Sequence, residues 1–281
     1  MSLGNPPPRD AGNGLPKGFS GGTPELWDET YHDCSAGRPL VGSRSSAPER
    51  AIVGALLGRC KPTPGECVLE LGCGGSRWLP LLASRAGVRV AGVDFSDRGV
   101  ARSRQLLREV GADDSAIVQG TIEDYVSRNG RGFDIVVSFG LIEHFSDLHD
   151  VIHSHLRCLR PGGRLFMSAP NLSGPNLTWA RTVAPDLFEW HRPISGREVA
   201  AVCLKYGCTD VGIAYLGGLR LFAPPSAACR GHRFVRPSAT WARRLFNGTG
   251  ELGHRIEPNS SSRIASKRLS PYFAVSARIP N

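Results

Sequence analysis

No stretch of this 281-residue chain approaches the about 20 consecutive apolar residues that a membrane-spanning helix requires. The opening residues, MSLGNPPPRDAGNG, lack the apolar core of a secretory signal. Together these absences lead to the expectation of a cytoplasmic protein. The eight cysteines form no Cys-x-x-Cys pair and none has zinc-cluster spacing, so free thiols in a reducing compartment are expected. His149 and His153 stand four apart without the glutamate of a His-Glu-x-x-His site, and no metal is assigned to them. Gly and Pro, at 34 and 21 residues, stay below the roughly 25–30% that marks low complexity, which excludes wholesale disorder. A chain of this size buries roughly 75% of its unfolded surface, enough for one enzyme-sized fold.

Charge is short of one sign only at the C-terminal end. From Leu219 onward there are 11 Lys and Arg against Glu251 and Glu257, so that region carries the whole net charge of +9. Such a skew suits phosphates or nucleic acid as a partner. No dense run of five or six cations appears, however, and a solvated basic rim accounts for the skew at least as well.

Residues 1–24 hold 11 Gly or Pro and few large apolar side chains, so they are expected to form a disordered tail. Helical spacing of Ile52, Val53, Leu56 and Leu57 follows. Strands are then predicted over residues 67–71, 88–93, 116–118, 134–138 and 164–168, with helices over 97–110 and 148–159 between them. Strand alternating with helix gives a doubly wound, mostly parallel α/β sheet. After Ala169 a loop is expected over 171–193, then a helix capped by Ser195, a strand near 209–215 and a last strand near 272–277. Residues 217–270 read as an irregular basic insert, longer than an ordinary connection.

The most informative stretch is Val68-Leu69-Glu70-Leu71-Gly72-Cys73-Gly74-Gly75-Ser76, a buried strand that runs into a glycine turn opening a helix. Glycine there allows tight folding and close approach of backbone to a ligand. Asp94 ends the next strand, 22 residues beyond Gly72, where a carboxylate can accept bonds from both ribose hydroxyls. The sixth position of a dinucleotide fingerprint, counted from Gly72, is Arg77 rather than glycine. Glu70 would repel a pyrophosphate but pair with an ammonium group, and S-adenosylmethionine carries an ammonium and no phosphate.

In order and spacing, Glu70-x-Gly72-x-Gly74, Asp94, Gly120-Thr121-Ile122-Glu123-Asp124, Phe133-Asp134-Ile135-Val136-Val137-Ser138 and Leu159-Arg160-Pro161-Gly162-Gly163 resemble the motif series of class I S-adenosylmethionine-dependent methyltransferases. The likeness is to the small-molecule branch and covers roughly residues 50–169. It implies a seven-stranded Rossmann-like sheet with helices on both faces and an antiparallel last strand. It also implies that Glu70 and the Gly72-Cys73-Gly74 backbone hold the methionine part, Asp94 the ribose, Phe95 the adenine face, and Thr121 and Ile122 its polar edge. Thr121 replaces a common aspartate, and Ser76 a common third glycine, though serine can cap the next helix. S-adenosylhomocysteine would be the product. On this division residues 25–281 are one domain: a lid and helices over 25–60, a cofactor-binding core over 61–170, an acceptor-side loop, helix and strand over 171–216, the insert, and the last strand over 271–281.

The fourth strand leads into Ser138-Phe139-Gly140-Leu141-Ile142-Glu143-His144, which places Phe139 and His144 beside the donor sulfonium. His144 is the candidate base for a hydroxyl acceptor; a positioning role is weighed equally. Glu143-His144 is also similar to the Glu-x-x-Glu-His metal site of some methyltransferases, including a ubiquinone-pathway O-methyltransferase group. Gly140 stands at its first glutamate, so no tightly bound metal is expected. Trp27 and Tyr31 resemble the lid of related enzymes, and Trp179, Trp190 and His191 are candidates for the acceptor pocket wall. The expected function is methyl transfer to an oxygen, nitrogen or carbon of a small molecule. An RNA or polyanion methyltransferase and a non-catalytic cofactor-binding module are the alternatives. Oligomeric state is left open.

Overall fold

Runs of aliphatic and β-branched side chains become strands that are covered on both sides. β1 (Cys67–Leu71) is buried at all five positions. The others are β2 (Arg89–Asp94), β3 (Ile117–Gln119), β4 (Phe133–Phe139), β5 (Leu159–Pro170), β6 (Thr209–Leu216) and β7 (Tyr272–Arg278). These come from a computed structural model that describes residues 18–21, 25, 27–28, 40, 45–218, 221 and 266–281. The seven strands lie in the order β3-β2-β1-β4-β5-β7-β6. Neighbours from β3 to β5 pair parallel, whereas β7 pairs antiparallel with both β5 and β6. The fold class read from the sequence, antiparallel last strand included, is the fold observed.

Local chemistry sets the helix boundaries. In α1 (Ala47–Cys60), Ser46 and Glu49 form a reciprocal capping box and a proline occupies the first turn. α2 (Trp78–Ala86) stops at Gly87, which takes φ +61° at no steric cost. Ser96 caps α3 (Asp97–Glu109) and Thr121 caps α4 (Ile122–Asn129) by accepting from backbone N–H groups. Asp147 caps α5 (Leu148–Cys158), and a second capping box, Ser195 with Glu198, opens α7 (Gly196–Lys205).

The helices divide between the two faces by the side chains they bury. Ile122 and Val126 of α4, Val151 and Ile152 of α5, and Val199 and Cys203 of α7 pack with Leu69, Leu71, Val93 and Val136. Leu56 of α1, Leu79 and Leu82 of α2, and Val100 and Leu107 of α3 pack with Val68, Val90, Ile135 and Val137 on the other side. Alternate residues of one strand therefore feed opposite layers. The order reverses at β1, between β2 and β4, and the crevice of such a sheet opens there at the carboxyl ends of the strands.

Two sequence expectations change. The loop expected over 171–193 contains α6 (Pro175–Val183) and a short 3-10 turn, Pro185–Glu189. Pro175 fits the first helical turn, and Leu172, Ala180, Val183, Ala184 and Leu187 gain a small core of their own. The end of the stretch expected to be a disordered tail, residues 18–21, is docked instead: Phe19 bridges to Phe145, and Ser20 N–H donates to the His144 carbonyl at 2.8 Å. Most of the basic insert lies outside the described residues. Among the described residues no helix is long and apolar enough to cross a membrane.

Candidate functional site

The turn after β1 is fixed by what surrounds it. Gly72 has φ +71°, and its N–H donates to the Val93 carbonyl at 2.9 Å. A Cβ there would stand 2.7 Å from Leu141 Cδ1. The next glycine is held from below, since Gly74 N–H donates to Asp94 Oδ2 at 2.8 Å. Asp94 Oδ1 accepts from Ser96 N–H, also at 2.8 Å, so one carboxylate joins the β1 turn to the start of α3. Ser76 Oγ donates to Glu70 Oε2 at 2.5 Å and accepts from Leu79 N–H at 3.2 Å. The serine at the third-glycine position thus ties the start of α2 to the buried acid of β1.

Above this turn lies a cavity of about 320 Å³. Glu70 and Asp94 face it with Phe95, Phe139, Trp27 and His144. Phe139 stacks on Trp78 at a centroid distance of 4.3 Å. A smaller apolar pocket continues behind Phe95, bounded by Val93, Ile122 and Leu141. Phe19 closes it, with its ring 5.3 Å from Phe95 and 5.4 Å from Phe145 in edge contacts. The sequence reading missed Phe19 because it sits in a glycine- and proline-rich stretch. Trp27 lies edge-on to His144 at 5.0 Å and is anchored by its indole N–H to the Gly21 carbonyl at 2.7 Å.

The side chains of other residues named from the sequence lie away from the cavity or meet it only through backbone. Cys73 is buried with its sulfur against the backbone of Gly92, so its side chain is turned away from the cavity. Thr121 spends its hydroxyl on the α4 cap, accepting from Asp124 N–H at 3.2 Å. Trp179 packs in the small core around α6. Trp190 reaches the site through its backbone: its carbonyl oxygen lies 2.8 Å from His144 Nδ1. Tyr31 lies outside the described residues.

Burial dominates the electrostatics. It pushes the Glu70 carboxyl up to about 8, against the Ser76 hydrogen bond and with some help from Asp94. Asp94 rises to about 6 by burial, against two backbone N–H bonds. His144 falls to about 4, again by burial, although backbone carbonyls of Trp190 and Gly140 favour its cation. An Nδ1 that faces a carbonyl carries the proton in the neutral ring, which leaves the lone pair on Nε2.

A second cluster adjoins the cavity. Glu143, on the 3-10 turn Ile142–His144, is 2% exposed, and burial pushes its carboxyl up to about 8. His191 is also buried, and its ring is 4.3 Å from that of His144. One ligand-type atom of each of Glu143, His144 and His191 lies within 4.8 Å of the other two. The expectation of no bound metal considered only Glu143 and His144 beside Gly140; the structure adds His191 to the set. Its proximity could not be read from spacing, because Arg192 N–H donating to the Glu143 carbonyl at 2.8 Å joins segments far apart in sequence.

The methyltransferase domain family matches residues 46–212, more than half of the chain. The chain belongs to that family. A Klebsiella pneumoniae ubiquinone biosynthesis O-methyltransferase is 33% identical to this methyltransferase over 112 residues, which is 39% of this chain and 45% of that protein. The match therefore spans less than half of the relative's length. Among solved structures, Haemonchus contortus phosphoethanolamine N-methyltransferase 2, in complex with phosphomonomethylethanolamine and S-adenosylhomocysteine, superposes with a TM-score of 0.51 at 17% identity. That alignment covers 82% of this chain and 52% of the other. The 4+2 cyclase SpnF superposes with a TM-score of 0.57 at 15% identity, covering 95% and 99%. These structures share the fold, and a cyclase among them shows that the fold alone does not fix the reaction. S-adenosylmethionine is the cofactor of this methyltransferase family, and the cavity suits it. The cavity is large enough for a ligand and presents two buried acids with the aromatic rings of Phe95 and Phe139.

Proposed function

We propose that this methyltransferase moves a methyl group from S-adenosylmethionine to an oxygen, nitrogen or carbon of a small molecule. The observation that carries the reading is the pair of buried acids at the ends of adjacent strands, Glu70 and Asp94, facing one cavity with Phe95 and Phe139. Glu70 would receive the ammonium, Asp94 the ribose hydroxyls, and the Phe95 side of the same cavity the adenine. The cofactor when bound supplies a methyl group on a sulfonium, already a good leaving group, so positioning of the acceptor carries much of the acceleration, up to roughly 7–11 kcal/mol. Trp27 and Phe19 line the cavity beside His144 and would shield a bound donor from water. His144 has its Nδ1 proton on the Trp190 carbonyl and is a weak base once burial lowers it to about 4. That supports a positioning role over the base role considered from the sequence.

The test has two arms. Calorimetric titration with S-adenosylhomocysteine should give stoichiometric binding, and NAD should give none. Radiolabelled donor with small-molecule fractions of a cell extract should then yield a labelled acceptor. Binding of NAD in place of S-adenosylhomocysteine would overturn the cofactor reading; donor binding with label moving only to RNA would overturn the small-molecule reading. The basic C-terminal quarter motivates that second outcome, which predicts affinity for mixed RNA that drops steeply with salt.

A further inference from the structure

Helix α7 ends in a motif that brings two particular side chains together. The N–H of Cys208 donates to the Cys203 carbonyl at 3.1 Å, and the N–H of Gly207 donates to the Leu204 carbonyl at 2.9 Å. Gly207 supplies the left-handed residue, with φ +77°. These are the paired backbone bonds of a Schellman ending, which sets the third residue from the end of the helix against the second residue beyond its cap. Two apolar side chains ordinarily make that contact. Here two thiols make it, Cys203 and Cys208, buried in the same core layer as Val199 and Val202. Both are free cysteines.

The two side chains are hydrogen-bonded to each other, which raises the Cys203 thiol above its ordinary value and lowers that of Cys208. Cys203 is thus the donor, and Cys208 is the sulfur more readily present as thiolate, the form that attacks a disulfide. Burial instead pushes the thiols of Cys60 and Cys158 up to about 12, which keeps them protonated. The cover over the pair is thin. Residues 204–207 and 209–210 are all exposed, so fraying of one helix end uncovers Cys208. We propose that Cys203 and Cys208 are a modification site, which a low-molecular-weight disulfide such as oxidised glutathione converts into an intramolecular disulfide. The Cys208 thiolate attacks one sulfur of the reagent and expels the other half as a thiolate. Cys203, on losing its proton, attacks Cys208 Sγ and expels the second half. The protons lost by the two cysteines end on the two reagent thiols, so one disulfide is reduced as one dithiol is oxidised. The new bond staples the last turn of α7 to the start of β6, an edge strand of the sheet. Neither thiol lines the donor cavity, so the proposal stands independently of the methyl-transfer reading.

The experiment equilibrates the folded full chain in buffers of increasing ratio of oxidised to reduced glutathione, then blocks remaining thiols with N-ethylmaleimide under denaturing conditions and maps tryptic peptides by mass. Trypsin cuts after Arg197, Lys205 and Arg220, so the two cysteines fall on separate peptides, 198–205 and 206–220. In oxidising buffer these should appear joined, and reduction should separate them, while Cys60 and Cys158 remain fully alkylated. Cys203→Ser should stop the reaction at a mixed disulfide of glutathione with Cys208, and Cys208→Ser should leave Cys203 alkylated. Circular dichroism checks the fold of each variant, and the map of the parent protein decides the matter if either fails to fold. Full alkylation of both cysteines across the whole range would overturn the proposal. So would a parent protein in which Cys208 carries glutathione beside a free Cys203, or in which either is joined to a different cysteine.

Discussion

Asp94 Oδ2 accepts a hydrogen bond from the Gly74 N–H at 2.8 Å, so the acid at the end of β2 holds the turn that follows β1. Its other oxygen holds the Ser96 N–H at the start of α3. Each carboxylate oxygen has a further lone pair, which leaves capacity for a ligand hydroxyl. Asp94→Ala removes both backbone acceptors and the proposed ribose contact at once. We expect S-adenosylhomocysteine affinity to fall more than about tenfold, the loss of one hydrogen bond to a charged group, with a lower melting temperature as well. Calorimetry on a variant shown to be folded by circular dichroism measures the first effect. Parent-like affinity would mean that the ribose lies elsewhere.

Ligand binding should depend on pH through Glu70. The folded, empty protein keeps this proton up to about pH 8, whereas the ordinary value is 4.5. The folded state therefore binds more protons than the unfolded chain across that window, and stability falls as pH rises through it. An ammonium placed beside Glu70 favours the carboxylate, so binding releases a proton and tightens from pH 6 to 8. The gain stops where the ligand's own amino group loses its charge. Asp94, raised to about 6, adds to the rise at the lower end. Titrations in buffers of different ionisation enthalpy count the protons directly. Glu70→Gln should remove the release near pH 7.5; affinity that is flat or declines from pH 6 to 8 would show that Glu70 meets no cation.

Phe19 is predicted to matter more for binding than for folding. Its ring touches Phe95, Phe145 and His144, yet it is only partly buried, packing from a short docked segment against the edge of one core layer. Edge-on aromatic pairs contribute about 0.5–1.5 kcal/mol beyond the area they bury. Phe19→Ala should thus weaken S-adenosylhomocysteine roughly fivefold while the melting temperature hardly moves. A large drop in melting temperature with unchanged affinity would make Phe19 a core residue and not a cover.

The parts of the site that were legible in the sequence are those carried by contiguous strand-turn-helix segments. Glu70, Gly72 and Asp94 sit at strand ends whose positions follow from short apolar runs, and a parallel sheet places consecutive strand ends side by side. Phe19 was illegible because its neighbours are glycine and proline and its contacts are all distant in sequence. Glu143 and His191 were each named from the sequence, but not their proximity, which arises because the chain after α6 returns to the turn after β4. Helix α6 itself left a local signal, Gly174-Pro175, that Trp179 within it and Phe188 and Trp190 after it obscured. Cys73 was named for its backbone in the turn after β1, and its side chain adds what the sequence did not reveal, packing between β1 and β2.

That packing leads to the last prediction. Gly92 pairs in register with Glu70, and a Cβ added there would come within 2.6 Å of Cys73 Sγ and 2.8 Å of its Cβ. Gly92→Ala thus presses on the turn that carries Gly72 and Gly74, and overpacking of this kind costs about 1–3 kcal/mol. Gly54 is the contrasting case: it is exposed in α1 with nothing within 4 Å of an added Cβ, and alanine is the better helix former by about 1 kcal/mol. Denaturant unfolding should find Gly92→Ala destabilised and Gly54→Ala slightly stabilised. Combining Gly92→Ala with Cys73→Ala removes the sulfur but not the Cβ contact, so only part of the loss should return. Full additivity of the two changes would show that Cys73 is not what Gly92 accommodates.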